Sequence, residues 1–181
     1  MNNIDEKYAL LQHMSRVSEL AYRMAHYFGL DERKCKEISI AAHLHDIGKF
    51  LVNPKILNKK GTLTEEEKSS VMEHVDFSYI IGHLMSNRLT PDILKMIYEH
   101  HENYDGTGYP KGKTGDQMLI GSHIIKICDA YDAMRSERPY RKAMSKLEAF
   151  EELMRYRSQY HPECISCLVK LEKIGHTAEA V

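Results

Sequence analysis

Apolar residues recur along most of this chain at the three-to-four-residue spacing of an amphipathic helix. Leu10, Leu11, Met14, Val17, Leu20, Ala21, Met24, Ala25 and Phe28 form the first stripe, and Gly29 closes it. Asp31 stands where a second helix needs a cap, and Ile38, Ile40, Ala41 and Leu44 carry that helix into His45-Asp46 before Gly48 breaks it. Residues 50–63, with Pro54 and Gly61, read as a loop. Thr64 and Glu67 have the spacing of a capping box and start a short helix towards His74. A further helix carries Tyr79, Ile80, Ile81, Leu84 and Met85. Thr90-Pro91 is an N-cap followed by a proline in the first turn, leading through Ile93, Leu94, Ile97 and Tyr98 to His100-His101.

Residues 102–119 interrupt the pattern with Gly106, Gly108, Pro110, Gly112 and Gly115. A helix resumes from Ile120 to Arg135, Ser145 with Glu148 makes a second capping box, and Pro162 starts the last helix. No strand, repeat or linker stands out, so residues 1–181 read as one all-α domain.

Composition narrows the partners. The 25 basic and 26 acidic residues balance to a net charge of -1, which argues against a nucleic-acid polymer and its need for a broad basic surface. A small phosphate ligand met by a few local cations remains compatible. The polar opening from Met1 to Lys7 is unlike a signal peptide, and no apolar run has the length of a membrane span. A reducing cytoplasm with Cys35, Cys128, Cys164 and Cys167 as free thiols is the expectation. Cys164 and Cys167 form a lone CxxC on a helical pattern, read here as packing.

The eleven histidines change the picture. His45-Asp46 ends one helical run and His100-His101 ends another. Neighbouring helix positions lie about 100° apart, so adjacent side chains converge only on something placed over the helix edge. A metal ion is such an object, and an aspartate can bridge two of them. His13, His74 and Asp129 bring the candidate ligands to seven, drawn from five segments, as a site between bundle helices requires. Taken singly, His13 or His74 is more often an ordinary buried or surface histidine, and Asp129 a surface carboxylate. His26, His43, His83, His123, His161 and His176 read as structural or surface residues, and Met14, Met24, Met85, Met96 and Met134 as core.

In order, His45-Asp46-Ile47-Gly48-Lys49, His100-His101-Glu102 and Asp105-Gly106-Thr107-Gly108-Tyr109-Pro110 resemble the motifs of HD-GYP domains. The Ile56-Leu57-Asn58-Lys59, Asp129-to-Met134 and Arg138-Pro139-Tyr140-Arg141 stretches add to the likeness, which runs from about residue 10 to about residue 173. The resemblance implies an all-helical bundle of the HD/HD-GYP type with a metal centre in its core. It also implies a phosphodiesterase hydrolysing cyclic di-GMP to a linear dinucleotide, with a second cut to GMP left open. His13, His45, Asp46 and Asp129 would hold one metal; Asp46 would bridge to a second held by His74, His100 and His101. Iron or manganese are the implied ions. The family's three-metal form has a glutamate where this chain has Ala9, so two divalent ions are expected. Lys60 replaces a usual proline, His123 a usual arginine, and His161 a usual aspartate.

Two ions sharing a water can activate it for attack on phosphorus while neutralising phosphoryl charge, which makes Asp46 a catalytic as well as a binding residue. Lys49 can stabilise the transferring phosphate or merely serve the helix dipole. Arg138 and Arg141 offer guanidinium forks for phosphate, against an ordinary ion-paired turn. Tyr109 can stack on the substrate, or its glycine-rich loop can meet a partner protein. Gly106 and Gly108 are assigned to turn geometry and Asp105 to an Asx turn. Two alternatives stand beside cyclic di-GMP hydrolysis: turnover of another cyclic dinucleotide such as cyclic GMP-AMP, and a non-catalytic module that binds such a ligand or a protein.

Overall fold

A computed structural model describes residues 3–85, 89–137 and 142–173 of the chain. Among them the only β pairing is an isolated antiparallel bridge between Asp105 and Thr114. The elements are α1 (Asn3–Tyr27), α2 (Glu32–Leu44), α3 (Pro54–Leu57), α4 (Glu65–Met72), α5 (His74–Leu84), α6 (Pro91–Glu99), α7 (Ile120–Arg135), α8 (Lys146–Arg155) and α9 (Pro162–Glu172).

Helix starts follow the side chains available to cap them. Asp31 accepts the Lys34 amide at 2.8 Å, Thr64 and Glu67 close a reciprocal box, Thr90 accepts the Ile93 amide, and Ser145 pairs with Glu148. His161 caps α9 through its ring, Nδ1 accepting the Glu163 amide at 3.2 Å. The segment 50–63 is not simply a loop: Asn53 caps the short α3 by accepting the Lys55 amide, with Pro54 pre-set in the first turn.

Gly48 does not end α2, which stops at Leu44; it lies inside a 3-10 turn from Ile47 to Leu51. Its role is close approach. A β-carbon on Gly48 would fall 2.1 Å from the His74 carbonyl oxygen and 2.6 Å from the Ser78 nitrogen, so only glycine lets this turn seat against α5. The Gly48 amide donates to Ser78 Oγ at 2.9 Å in the same contact.

The main core is formed by α1, α2, α6, α7, α8 and α9, with Val17, Ala21, Ile38, Ile97, Ile124 and Leu168 fully or almost fully buried. α7 is its axis and packs against α1, α2, α6, α8 and α9. Cys35, Cys128, Cys164 and Cys167 are all buried free thiols. Met14, Met24, Met96 and Met134 are buried, whereas Met85 at the end of α5 is 42% exposed and is not core. None of the described helices is long and apolar enough to cross a membrane. This packing brings the C-terminal ends of α2, α4 and α6 against the middle of α1 and α7, where the polar residues of the interior gather.

Candidate metal centre

Three of the histidines sit at helix ends and use those ends to orient themselves. The last turn of a helix has carbonyls with no N–H from a following turn. His45 Nδ1 donates to the Ala42 carbonyl at 2.6 Å, His74 Nδ1 to Val71 at 2.6 Å, and His100 Nδ1 to Ile97 at 2.7 Å. A carbonyl only accepts, so each Nδ1 carries a proton and each Nε2 points inward as the atom left to meet a metal. His13 lies mid-helix, where the carbonyls of α1 are already used. Its Nδ1 bonds instead to Asp132 Oδ2 at 2.7 Å, across the interface with α7.

All seven residues expected as ligands come together. They form two quartets, His13, His45, Asp46 and Asp129, and Asp46, His74, His100 and His101, each with its ligand atoms within 4.8 Å of one another. Asp46 belongs to both. Its Oδ2 lies 3.7 Å from His13 Nε2 and 3.4 Å from His45 Nε2, while its Oδ1 lies 3.3 Å from His74 Nε2 and 3.8 Å from His100 Nε2. Asp129 Oδ1 is 3.1 Å from His13 Nε2 and 3.7 Å from His45 Nε2.

The donor set fits divalent cations. His45 Nε2 and Asp46 Oδ1 are buried without a hydrogen-bond partner among the described residues, and each faces one of the quartets. Buried polar atoms are ordinarily paired, so two orphans aimed at one place mark a missing electrophile. The Nε2 atoms of His74 and His100 approach to 3.3 Å, and those of His74 and His101 to 3.2 Å. With both Nδ1 positions protonated, the lone pairs of His74 and His100 repel unless a cation lies between them.

Electrostatics prepare the same donors. Burial disfavours the Asp46 and Asp129 anions, yet Lys49 and His45 beside Asp46, and His13 and His45 beside Asp129, hold both carboxyl groups well below their ordinary range. Burial, reinforced by His74 and Lys49, takes His101 down to about 3, and burial with its imidazole neighbours keeps His100 neutral. For His45 burial opposes charge, but the Asp46 and Asp129 carboxylates win and push it up to about 10. A metal at the first quartet would have to displace that proton.

A cavity of about 710 Å³ opens on this centre, lined by His13, Asp46 and Lys49 and also by Lys7, Ala9, Arg16 and Arg135. Lys49 Nζ is 2.5 Å from Asp46 Oδ2, so its charge meets the shared carboxylate and the cavity together. Tyr109 is not part of the cavity wall; its ring stacks on His101 with centroids 4.8 Å apart and planes 20° from parallel. Arg138 and Arg141 lie outside the described residues.

The loop after His101 is built as a rim. Asp105 accepts from the Thr107 amide at 3.1 Å, the expected Asx turn. Gly106 has a φ of +81° and is a turn glycine, but Gly108 is a packing glycine: a β-carbon there would lie 2.2 Å from the Asn103 nitrogen. Glu102, fully buried, accepts the Lys111 amide at 2.6 Å and the Lys113 amide at 3.0 Å.

Sequence reasoning gave no role to Asp132, Arg16 or the Glu102 carboxylate. Arg16 holds Asp132 with two bonds, Nε to Oδ1 at 2.7 Å and Nη2 to Oδ2 at 2.9 Å. The available signal was spacing: Arg16 follows His13 by one helical turn on α1 as Asp132 follows Asp129 on α7. Of the remaining histidines, His26, His43 and His83 are exposed. His123 is buried and its ring meets that of His161 at a tilt of 44°, with centroids 5.1 Å apart. His176 lies outside the described residues.

Comparison with known proteins agrees with this geometry. A family model described as the HD domain matches residues 2–164. The chain belongs to the HD domain family. Enzymes of this family use divalent metals, and the histidine–aspartate cluster is where this HD domain can hold them. The chain is similar to a cyclic di-GMP phosphodiesterase of Thermotoga maritima, 38% identical over 167 residues, covering 90% of this chain and 44% of the relative. It is also similar to a 3'3'-cGAMP-specific phosphodiesterase of Vibrio cholerae, 32% identical over 159 residues, covering 87% of this chain and 30% of the relative. The HD domain thus spans under half the length of these relatives. Among solved structures, an HDG"Y"P protein of Bdellovibrio bacteriovorus shares the fold with a TM-score of 0.70 at 23% identity, over 90% of this chain and 52% of that one.

Proposed function

We propose that this HD domain is a cyclic-dinucleotide phosphodiesterase of the HD-GYP type, acting on cyclic di-GMP and releasing a linear dinucleotide. The observation that carries the reading is Asp46, whose two oxygens face two separate histidine sets beside a cavity that Lys49 also lines. Two divalent ions, iron or manganese, suit a donor set of five imidazoles and two carboxylates. Bound there, they would supply Lewis-acid activation of water and neutralise charge on the phosphoryl oxygens.

The chain's own residues do the rest. His74 and His100 present fixed lone pairs, and Tyr109 holds the ring plane of His101. Lys49, at the mouth of the centre, is placed to meet a phosphoryl oxygen as negative charge grows. Lys7, Arg16 and Arg135 line the cavity together with Glu6 and Glu137, and its size lies within the roughly 300–1,000 Å³ of small-molecule sites. Ala9 on the wall brings no carboxylate for a third ion. Arg138 and Arg141 are further phosphate-binding residues on this reading, and a cytoplasmic location goes with it.

Cyclic GMP-AMP is the second reading, favoured by the Vibrio cholerae relative named for it. A non-catalytic module is the weaker alternative because no ligand position has been replaced. The test incubates manganese- or iron-loaded protein with each dinucleotide and identifies products. Linear dinucleotide from cyclic di-GMP, lost in Asp46→Ala, is the expected result; turnover of cyclic GMP-AMP alone would move the substrate assignment, and turnover of neither would remove the enzymatic reading.

A further inference from the structure

The two quartets are not held alike. His45, His74 and His100 are oriented by main-chain carbonyls three residues earlier in the chain, in the last turns of α2, α4 and α6, bonds that no distant side chain can remove. His13 is oriented by a carboxylate 119 residues away in sequence. That carboxylate is saturated: Asp132 Oδ2 receives His13 at 2.7 Å, Arg16 Nη2 at 2.9 Å and the Ser136 hydroxyl at 3.2 Å, while Oδ1 receives Arg16 Nε at 2.7 Å. Arg16 also donates to Ser136 Oγ at 2.8 Å, so the brace closes on itself.

We infer that Asp132, braced by Arg16, is a positioning residue for His13, and that the quartet of His13, His45, Asp46 and Asp129, which alone depends on this distant brace, is the metal position emptied when the brace is lost. The inference rests on the two-metal reading. Its chemistry is that of an outer-shell carboxylate, which fixes the imidazole tautomer, points the lone pair at the ion and raises the basicity of the ring. Without Asp132, His13 can rotate about its side-chain torsions on α1, where no free main-chain carbonyl stands ready to replace the bond. The quartet of Asp46, His74, His100 and His101 loses nothing, because Asp132 touches none of those four.

The experiment compares wild type, Asp132→Ala and Asp132→Asn as full chains. Each is titrated with manganese, with bound ion per chain and electron paramagnetic resonance as readouts and the melting temperature of the metal-free protein as a folding control. Wild type should bind two ions and show the exchange-coupled signal of a carboxylate-bridged pair. Asp132→Ala should retain one ion with the signal of an isolated manganese, while its metal-free melting transition stays cooperative. Asp132→Asn keeps an acceptor for His13 but loses the charge and the Arg16 fork, so its weaker ion should bind about 10–100-fold less tightly than in wild type. Two coupled ions at wild-type affinity in Asp132→Ala would overturn the inference. So would parallel weakening of both positions in Asp132→Asn, the mark of a merely structural ion pair. Wild type binding fewer than two ions would sink the two-metal reading itself, and this inference with it.

Discussion

Gly48 and His74 meet backbone to backbone: a β-carbon on Gly48 would lie 2.1 Å from the His74 carbonyl oxygen. The glycine of the HD motif therefore sets the distance between the turn after Asp46 and the helix that carries His74. Gly48→Ala must push α5 outward, and overpacking of this kind costs about 1–3 kcal/mol. Urea denaturation of the metal-free protein should show that loss, and manganese affinity should fall with it because His74 moves away from Asp46 Oδ1. Wild-type stability in this variant would mean that the turn and α5 are not in the tight contact described.

Glu102 gives the second prediction. Its buried carboxylate accepts two amides from the rim loop, and Glu102→Ala leaves both without an acceptor. Lys111 is exposed and Lys113 half-buried, so water takes over part of each bond and the loss is about 0.5–1.5 kcal/mol per bond. Hydrogen exchange should accelerate at the amides of Lys111 and Lys113 before it changes in α7, since the loop loosens locally. Turnover should drop as well, because Tyr109 on the same loop stacks against His101.

Chelation is the third. The donor atoms face one another unpaired, so ions that bind the folded chain and not the unfolded one raise its stability. Manganese at about a hundred times its dissociation constant adds about 2.7 kcal/mol per site. For a chain of this size one such site corresponds to a rise of about 5–10 °C in melting temperature. Scanning calorimetry with and without chelator reads the difference; an unchanged transition would exclude metal binding to the native centre.

The contact between the His123 and His161 rings supports a fourth prediction. Each replaces a residue type usual in the family the sequence resembles, and the structure makes the two departures one. His123→Arg or His161→Asp alone places a charge against an unsuited ring, whereas the double variant can form an ion pair. A double-mutant cycle in urea should give a favourable coupling of about 1 kcal/mol. Burial also lowers the His123 pKa, so the folded state resists a proton that the unfolded chain accepts. The His123 contribution is therefore present above the unfolded value of about 6.5 and is lost as the pH falls below it towards the depressed folded value. The His123→Arg/His161→Asp protein should lack this share of the acid destabilisation.

Helix starts were legible because Asp31, Thr64, Thr90 and Ser145 are local devices, each complete within a few residues. The seven ligand positions were legible for a related reason: most occur as adjacent pairs or ordered motifs at helix ends. α3 was missed because one helical turn leaves too little periodicity against Pro54 and Gly61. Asp132 and Arg16 escaped because their one-turn spacing from Asp129 and His13 acquires meaning only through a contact across α1 and α7. The motif around Tyr109 leaves open whether it meets substrate or its loop meets a partner protein, and its stacking on His101 is a contact that only the fold reveals.

The three imidazole-to-carbonyl bonds at the ends of α2, α4 and α6 give one atom group two jobs. Exchanging His45, His74 or His100 for another residue frees the helix-end carbonyl its ring holds at the same moment as it deletes a coordination point. Drift at these places is penalised in scaffold and chemistry alike, so a descendant that abandons catalysis while keeping its shape has an easier first step at His13, whose helix needs nothing from its ring.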